Sequence, residues 1–482
     1  MTTARRIIRP EQHRKGITMV RKTLVLAVLI AGAAAYSVKP VKTQTRPSPS
    51  VVLYEGARLI AGDGSQPISS SAMLVENGMI TRVGAKGSVN APAGASRVDL
   101  TGKTVMPTLI NAHGHPGFQR GLTYSADNLT RENIMDDLNR ALYFGVAAVQ
   151  SQGIEKGDVM YQIRADQEAG RLGGARLHVA GRGIGAPNAG PGGAAYAGIA
   201  YEVTTEDQAR QAVRELAAKK VNVVKIWVDD RNGRAPRLAP NLYRAVVDEG
   251  HKQGLPVNAH VFYHTDTVDL VNAGINAIVH LVRDKEMDDA LVASIVQHNV
   301  YVMPNLSGEW GTYAELPHWL KDGDPLMTLL QESASPPVIA RMKKGYESRD
   351  PAALERGRAG YAILQRSLAK LARANAKVTL GCDTGLQDHL FGMSEQRELE
   401  SMVKAGMTPM QVVVSATSRP AEYLKLDKMG VLAAGKEADF LVLDANPLDD
   451  ITNTQRISRI YMKGAEVDRA SLRPSLTKTS TN

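Results

Sequence analysis

A single cysteine, Cys382, occurs in the 482 residues, so no internal disulfide can form and packing alone must hold the fold. Also missing is an apolar run of about 20 residues, the length needed to cross a bilayer. The N-terminal run from Leu24 to Ala35 stops short of it. Basic character beyond the N-terminus is lacking too: the net charge is +9, and residues 1–50 alone hold ten Lys and Arg against one Glu. The remainder is close to neutral, which removes the electrostatic case for a nucleic-acid partner. No collagen-like, coiled-coil or disordered bias is present, and the length suits one large barrel with a smaller unit beside it.

What the N-terminus does hold is Arg21 and Lys22, the apolar run, and small residues at Ala33 to Ala35. This is the three-part pattern of a secretory signal peptide, with Met19 as an alternative start and Pro47 to Ser50 as a linker. Residues 1–50 are therefore expected to direct export to the periplasm or the medium. A short membrane anchor is the alternative.

Residues 51–103 read as short strands, VVLYEGARLI, AMLVE and MITRVG, the last two joined at Asn77-Gly78, a strong hairpin signal. DFLVLDA at 439–445 and ISRIYMKGAEV at 457–467 repeat this texture. Each end alone offers too few strands to bury a face. Both are expected to join in one small β-sandwich, residues 51–105 with 425–470.

Between them, eight apolar strands alternate with helical stretches: VMPTLIN from 105, VAAVQSQ from 146, RLHVAG from 176, VNVVKIWV from 221, PVNAHVF from 256, INAIVHL from 275, VYVMPN from 300 and KVTLGCD from 377. That alternation predicts an α/β fold, a TIM (β/α)8 barrel over residues 106–424. TTEDQARQAVRELAAKK, capped by Thr204 or Thr205, and LYRAVVDEGHKQG, ending at Gly254, are predicted helices. Two connections are unusual. GIGAPNAGPGGAAYAGIA after the third strand reads as a mobile loop at the barrel mouth. About 70 residues follow the seventh strand and hold Trp310, Tyr313 and Trp319, two of the three Trp in the chain, which points to a substrate wall.

Chemistry-bearing residues fall at strand ends. His113 and His115 close the stretch TVMPTLINAHGHPG. Side chains alternate along a strand, so histidines two apart share a face and can grip one metal ion. One such pair is weak evidence, since 11 His in 482 residues yield about 0.2 by chance. Downstream, however, Lys225 sits in VNVVKIWVDD, His260 ends VNAHV, His280 ends AIVHL and Asp383 ends VTLGCD. Each places a charged or metal-competent group where an apolar one belongs. An uncompensated lysine inside a barrel loses several kcal/mol of solvation. A buried neutral amine can instead react with carbon dioxide, giving a carbamate that bridges two metals. If Lys225 points inward, so do Trp227 and Asp229, because the period is two; an outward Lys225 paired with a helix carboxylate is the alternative.

With these motifs, and with LGCDTG and the terminal GVLAAGKEADFLVLDANPLDDI, the chain resembles the amidohydrolase superfamily, in its imidazolonepropionase-like and Xaa-Pro dipeptidase-like branch. The resemblance covers residues 51–467. It implies a binuclear centre in which His113, His115 and Asp383 hold one ion, His260 and His280 the other, with carboxylated Lys225 between them. Zinc is the favoured metal, and N and O ligands also admit manganese, iron or cobalt. It further implies attack by a metal-bridging hydroxide on an amide carbonyl, with Asp383 shuttling the proton to the leaving nitrogen. Hydrolysis of an amide, a cyclic amide or an N-acyl amino acid is the expected activity, with an exported dipeptidase as runner-up.

The chain departs from the family pattern at Pro107-Thr108, at Asn111, in GRGIGAPNAGPG and in the Val-Phe-Tyr that follows His260. The last two regions contact substrate in relatives, so no single relative's substrate transfers. Candidate substrate contacts are Trp227, Tyr263, His264, Trp310, Tyr313 and His389. His178 reads equally as a core histidine, His251 and His298 as solvated, and Cys382 as packing. His260 and His264 have the spacing of a helical metalloprotease pair, but Val261 stands where the required Glu belongs. A mononuclear deaminase would not need Lys225, and an inert barrel scaffold would hold no metal. A small-molecule substrate is the expected partner. Parallel barrels often form homo-oligomers, but no patch in the sequence marks an interface.

Overall fold

A computed structural model of the chain describes residues 50–191, 196, 198–308 and 325–473. Residues 1–49, where the export signal is expected, and Trp310, Tyr313 and Trp319 lie outside the described residues. Among those residues no helix is long and apolar enough to cross a membrane.

Asn77 and Gly78 take φ of 51° and 80°, the left-handed pair that a two-residue hairpin turn requires. They join Ser71–Glu76 to Met79–Ala85, which with Val51–Glu55 and Ser96–Asp99 make a four-stranded sheet. A second sheet draws on both chain ends, pairing Thr104–Pro107 antiparallel to Phe440–Leu443. Tyr54, Met73 and Val75 of the first sheet share one buried apolar cluster with Val105, Phe440 and Tyr461 of the second.

All eight predicted parallel strands are present, as Leu109–Gly114, Val146–Ser151, Arg176–His178, Val224–Val228, Val257–Val261, Ala277–Val279, Tyr301–Met303 and Lys377–Val378. They do not form the single closed ladder that the strand count predicts. The first three make one sheet; the other five make a seven-stranded sheet with two short extra strands, Ile184–Gly185 and Tyr201–Glu202.

Both seams have local causes. The glycine-rich connection is not simply a loop, because Ile184–Gly185 pairs with Tyr201–Glu202 and with Ile226, and so occupies the edge of Val224–Val228. Just past Arg176–His178, Val179 meets Asn222 instead of the Val224–Val228 ladder: the Asn222 N–H donates to Val179 O at 2.7 Å and the Val179 N–H to Asn222 Oδ1 at 2.8 Å. At the other seam Lys377–Val378 is two residues long. Contact with Leu109–Gly114 passes through Ala112 N to Leu380 O at 2.9 Å and Asp383 N to His113 O at 3.0 Å.

The first apolar stretch is divided as well. Thr104–Pro107 belongs to the small sheet and Leu109–Gly114 to the parallel one, so the change of sheet falls at Thr108 instead of between 105 and 106. Pro107 has no N–H to continue a ladder, which suits it to that corner. Thr205 caps Glu206–Ala218 in a capping box with Gln208, and Pro240–Lys252 ends ahead of Gly254 at φ 71°. Helices Pro325–Ser333, Pro336–Glu347 and Pro351–Arg373 occupy the long connection after the seventh strand.

Candidate metal centre and active site

His113, His115, Lys225, His260, His280 and Asp383 line one pocket at the C-terminal ends of the parallel strands. Trp227 and His260 are register partners on adjacent strands, and Lys225 lies two residues before Trp227. The Nε2 atoms of His113 and His115 lie 3.1 and 2.9 Å from Asp383 Oδ1. They lie 3.2 Å from each other. The His280 ring stands edge-on to His113 and to His260, with centroids 5.3 and 4.5 Å away. His113, His280 and Asp383 offer ligand atoms all within 4.8 Å of one another. Two neutral imidazoles and a carboxylate converging in this way present more lone pairs than protons. That donor set fits a divalent cation.

Buried polar groups hold the cluster in place. Asn111 Oδ1 accepts from His113 N at 2.9 Å, while its Nδ2 donates to Thr384 Oγ1 at 3.0 Å and Glu395 Oε1 at 2.7 Å. Thr384 O accepts from His115 N at 2.6 Å. Glu398 accepts from Leu306 N and Ser307 N at 2.9 and 2.5 Å, next to Asn305, whose Oδ1 is 3.3 Å from His113 Nδ1. His280 and Asp383 sit at φ 71° and 55°, a region that non-glycine residues occupy chiefly where surrounding contacts over-determine it.

Burial sets most of the protonation states. It drives His113 down to about 4, against the pull of Asp383, and lowers His115 in the same way. His260 and His280 fall well below the usual histidine value, through burial and then neighbouring positive groups. Burial lowers the Lys225 amine to about 7 against Asp383, with Arg231 and Arg283 pushing the same way as burial. For Asp383 burial is the largest single influence and raises its pKa, yet His113 and His115 together hold it well below the carboxylate range. Neutral imidazoles, a part-neutral amine and a charged carboxylate are the states that metal ligation and carbamate formation need.

Of the predicted substrate contacts, Trp227 and His389 line the pocket. Trp227 is buried against two glycines: a Cβ on Gly183 would stand 2.1 Å from its ring and one on Gly153 3.1 Å. Tyr263 and His264 do not line the pocket. The strand ends at Val261 and a helix begins at His264, which turns both side chains to partners outside the pocket. The Tyr263 hydroxyl donates to Asp230 at 2.8 Å, and His264 Nε2 lies 3.1 Å from Asp288 Oδ2. Cys382 is buried packing. Sequence reasoning missed Arg231, Arg283, Asn305 and Tyr196, which also line the pocket. The charged stretches Asp229-Asp230-Arg231 and Val282-Arg283-Asp284, just past the strands of Lys225 and His280, were the available signal.

Residues 104–467 match the amidohydrolase family. An uncharacterised protein of Mycobacterium tuberculosis is 34% identical over 114 residues, which is 23% of this chain and 30% of that protein. The match thus spans under a third of that relative's length. A 5-methylthioadenosine/S-adenosylhomocysteine deaminase of Halalkalibacterium halodurans is 22% identical over 403 residues, covering 77% of this chain and 80% of the relative. A solved Xaa-Pro dipeptidase with bound methionine in the active site shares the fold, with a TM-score of 0.69 at 21% identity over 86% of this chain and 99% of the other. Matched over most of its length, the chain belongs to the amidohydrolase family.

Proposed function

We propose that this protein is a metal-dependent hydrolase that cleaves a carbon–nitrogen bond in a small amide, cyclic amide or N-acyl amino acid. In this reading the two parallel sheets are arcs of one TIM barrel and the two smaller sheets form a β-sandwich beside it. The observation that carries it is the convergence of His113, His280 and Asp383 within 4.8 Å, in the pocket that also holds His115, His260 and buried Lys225. His113, His115 and Asp383 would hold one ion, His260 and His280 a second, and carboxylated Lys225 would join them.

When bound, such ions, zinc by preference, polarise an amide carbonyl and acidify water. The rest falls to side chains. Asp383, kept ionised by His113 and His115, receives the proton of the attacking water at its carboxylate and delivers it to the leaving nitrogen. Trp227 walls the site and limits water, and Asn111 fixes the strand end that aims His113. The solved Xaa-Pro dipeptidase that shares the fold supports dipeptide hydrolysis as the nearest variant of this activity.

Metal analysis of the purified protein tests this, paired with turnover of N-acyl amino acids and dipeptides before and after chelation. Two ions per chain with chelator-sensitive hydrolysis support it. No bound metal and no turnover would refute it and leave an inert barrel scaffold. A second reading, a mononuclear deaminase, draws on the 22% identity to the Halalkalibacterium enzyme over 77% of this chain. One ion per chain with ammonia release would favour it. The basic and apolar leader supports export, checked by N-terminal sequencing of protein recovered outside the cytoplasm.

A further inference from the structure

We propose that the substrate carries a free carboxylate bound by Arg231, and that this arginine makes the pocket prefer N-acyl amino acids or dipeptides over neutral amides. The inference rests on the hydrolase reading above and narrows its substrate class.

Arg231 follows the strand of Lys225 and lines the same pocket. Its side chain keeps 26% of its surface exposed. The Nη2 group donates to the carbonyls of Gly190 and Pro191 at 3.0 and 2.7 Å, and Nη1 lies 3.2 Å from Asp229 Oδ2. Nε is buried and has no partner among the described residues. The guanidinium is therefore anchored by two neutral carbonyls and one carboxylate, and its Nε remains uncommitted. Asp229, whose Oδ2 also lies 3.2 Å from His260 Nε2, is one carboxylate beside two guanidinium groups, since Arg283 lines the pocket as well. A planar cation preset in this way recognises a carboxylate without first having to order a flexible side chain.

Arg283 adds a second positive charge to the lining; its Nη2 donates to Val261 O at 2.9 Å and lies 3.0 Å from His260 Nε2. Arg231 and Arg283 face the carboxylates of Asp229 and Asp383 and, once it is carboxylated, that of Lys225, and two bound divalent ions would leave the pocket net positive. Such a field favours an anion. Ile154, Trp227, Leu281, Leu364 and Leu386 supply apolar wall. An N-acyl amino acid matches all three features, since its scissile nitrogen is attached to the carbon that bears both the side chain and the carboxylate. The step balances as R–CO–NH–CHR′–COO⁻ plus water giving the carboxylate R–COO⁻ plus the free amino acid as its zwitterion. The C–N bond breaks, water oxygen forms the new C–O bond, and the nitrogen takes up both water protons to become an ammonium.

The test uses metal-loaded protein with N-acetyl-L-leucine and N-acetyl-L-leucinamide, reading acetate release and, separately, calorimetric binding. The expected result is at least a 10-fold preference in kcat/KM for the carboxylate, carried mainly by KM. That preference should collapse to within 2-fold in Arg231→Met, be intermediate in Arg231→Lys, and be unchanged in Arg244→Met, a surface arginine paired with Asp269. Equal handling of the two probes by the wild type would overturn the inference, as would a preference that survives in Arg231→Met. If Arg231→Met does not fold, the lysine variant decides, and wild-type preference in it overturns the inference. If neither probe is hydrolysed, binding decides: Arg231-dependent, salt-sensitive binding of the carboxylate sustains the inference while the hydrolase reading fails. Absence of that binding overturns the inference itself.

Discussion

Asn111→Asp would put a carboxylate 2.7 Å from Glu395 Oε1, in a place where both residues are wholly buried. Two full charges at that separation repel by about 6 kcal/mol at an effective dielectric constant near 20. Protonating Glu395 avoids this at lower cost, because burial already lifts its pKa to about 7. At pH 8 holding that proton costs about 1.4 kcal/mol, one pKa unit of work. The protonated route therefore wins. Adding the lost donor to Thr384 Oγ1, we expect a destabilisation of roughly 2 to 3 kcal/mol at pH 8, growing as pH rises. Glu395→Gln in the same chain restores an N–H between the two side chains, so the double variant should recover most of the loss. Asn111 also holds the His113 backbone, and Thr384 the His115 backbone, so metal affinity should fall with stability by about 10-fold or more. Urea unfolding from pH 6 to 9 and competition with a chromophoric chelator measure the two effects. A loss of equal size in single and double variants, flat across pH, would refute the reasoning.

Three further substitutions probe other parts of the site. With Lys225 at about 7 when folded and about 10.5 when unfolded, the folded chain binds fewer protons between those values, so acidification costs stability. Lys225→Met should therefore abolish activity yet stabilise metal-free protein by up to about 4 kcal/mol near pH 7, an advantage that fades toward pH 10.5 in thermal melts. Gly183→Ala forces a methyl to within 2.1 Å of the Trp227 ring. It should cost about 1 to 3 kcal/mol and lower kcat/KM by displacing the wall, with near-UV circular dichroism reporting the moved indole. Glu398→Ala strands the N–H groups of Leu306 and Ser307, at about 1 to 3 kcal/mol each, and should lower both Tm and kcat. An unchanged melting curve would show that another group takes up those donors.

The candidate ligands stood out because each places a charged or metal-competent group within or just past a short apolar run. Lys225 and His260 lie inside their strands, whereas His280 and Asp383 lie beyond theirs at φ 71° and 55°. His113, His115, Lys225, His260, His280 and Asp383 could be named without knowing which strands neighbour which, and all six line one pocket. The hairpin at Asn77-Gly78 and the helix cap at Thr204 or Thr205 were equally local, and the structure puts the cap at Thr205. Tyr263 and His264 fall outside the pocket because the strand ends at Val261 and a helix begins at His264, so their side chains turn to Asp230 and Asp288.

What the sequence determined by itself is thus the sequence-local part: the strands, the turns, the near-neutral charge of residues 51–482, and the donor atoms at strand ends. Tertiary structure alone decided that Thr108 divides two sheets, that Ile184–Gly185 interrupts the ladder, that Asn111 meets Glu395 across 284 residues, and that Arg231 is pinned to the Gly190 and Pro191 carbonyls beside the candidate metal centre. The physical reason is that periodicity records which way a side chain leaves its own backbone. It holds no record of which distant backbone will stand opposite.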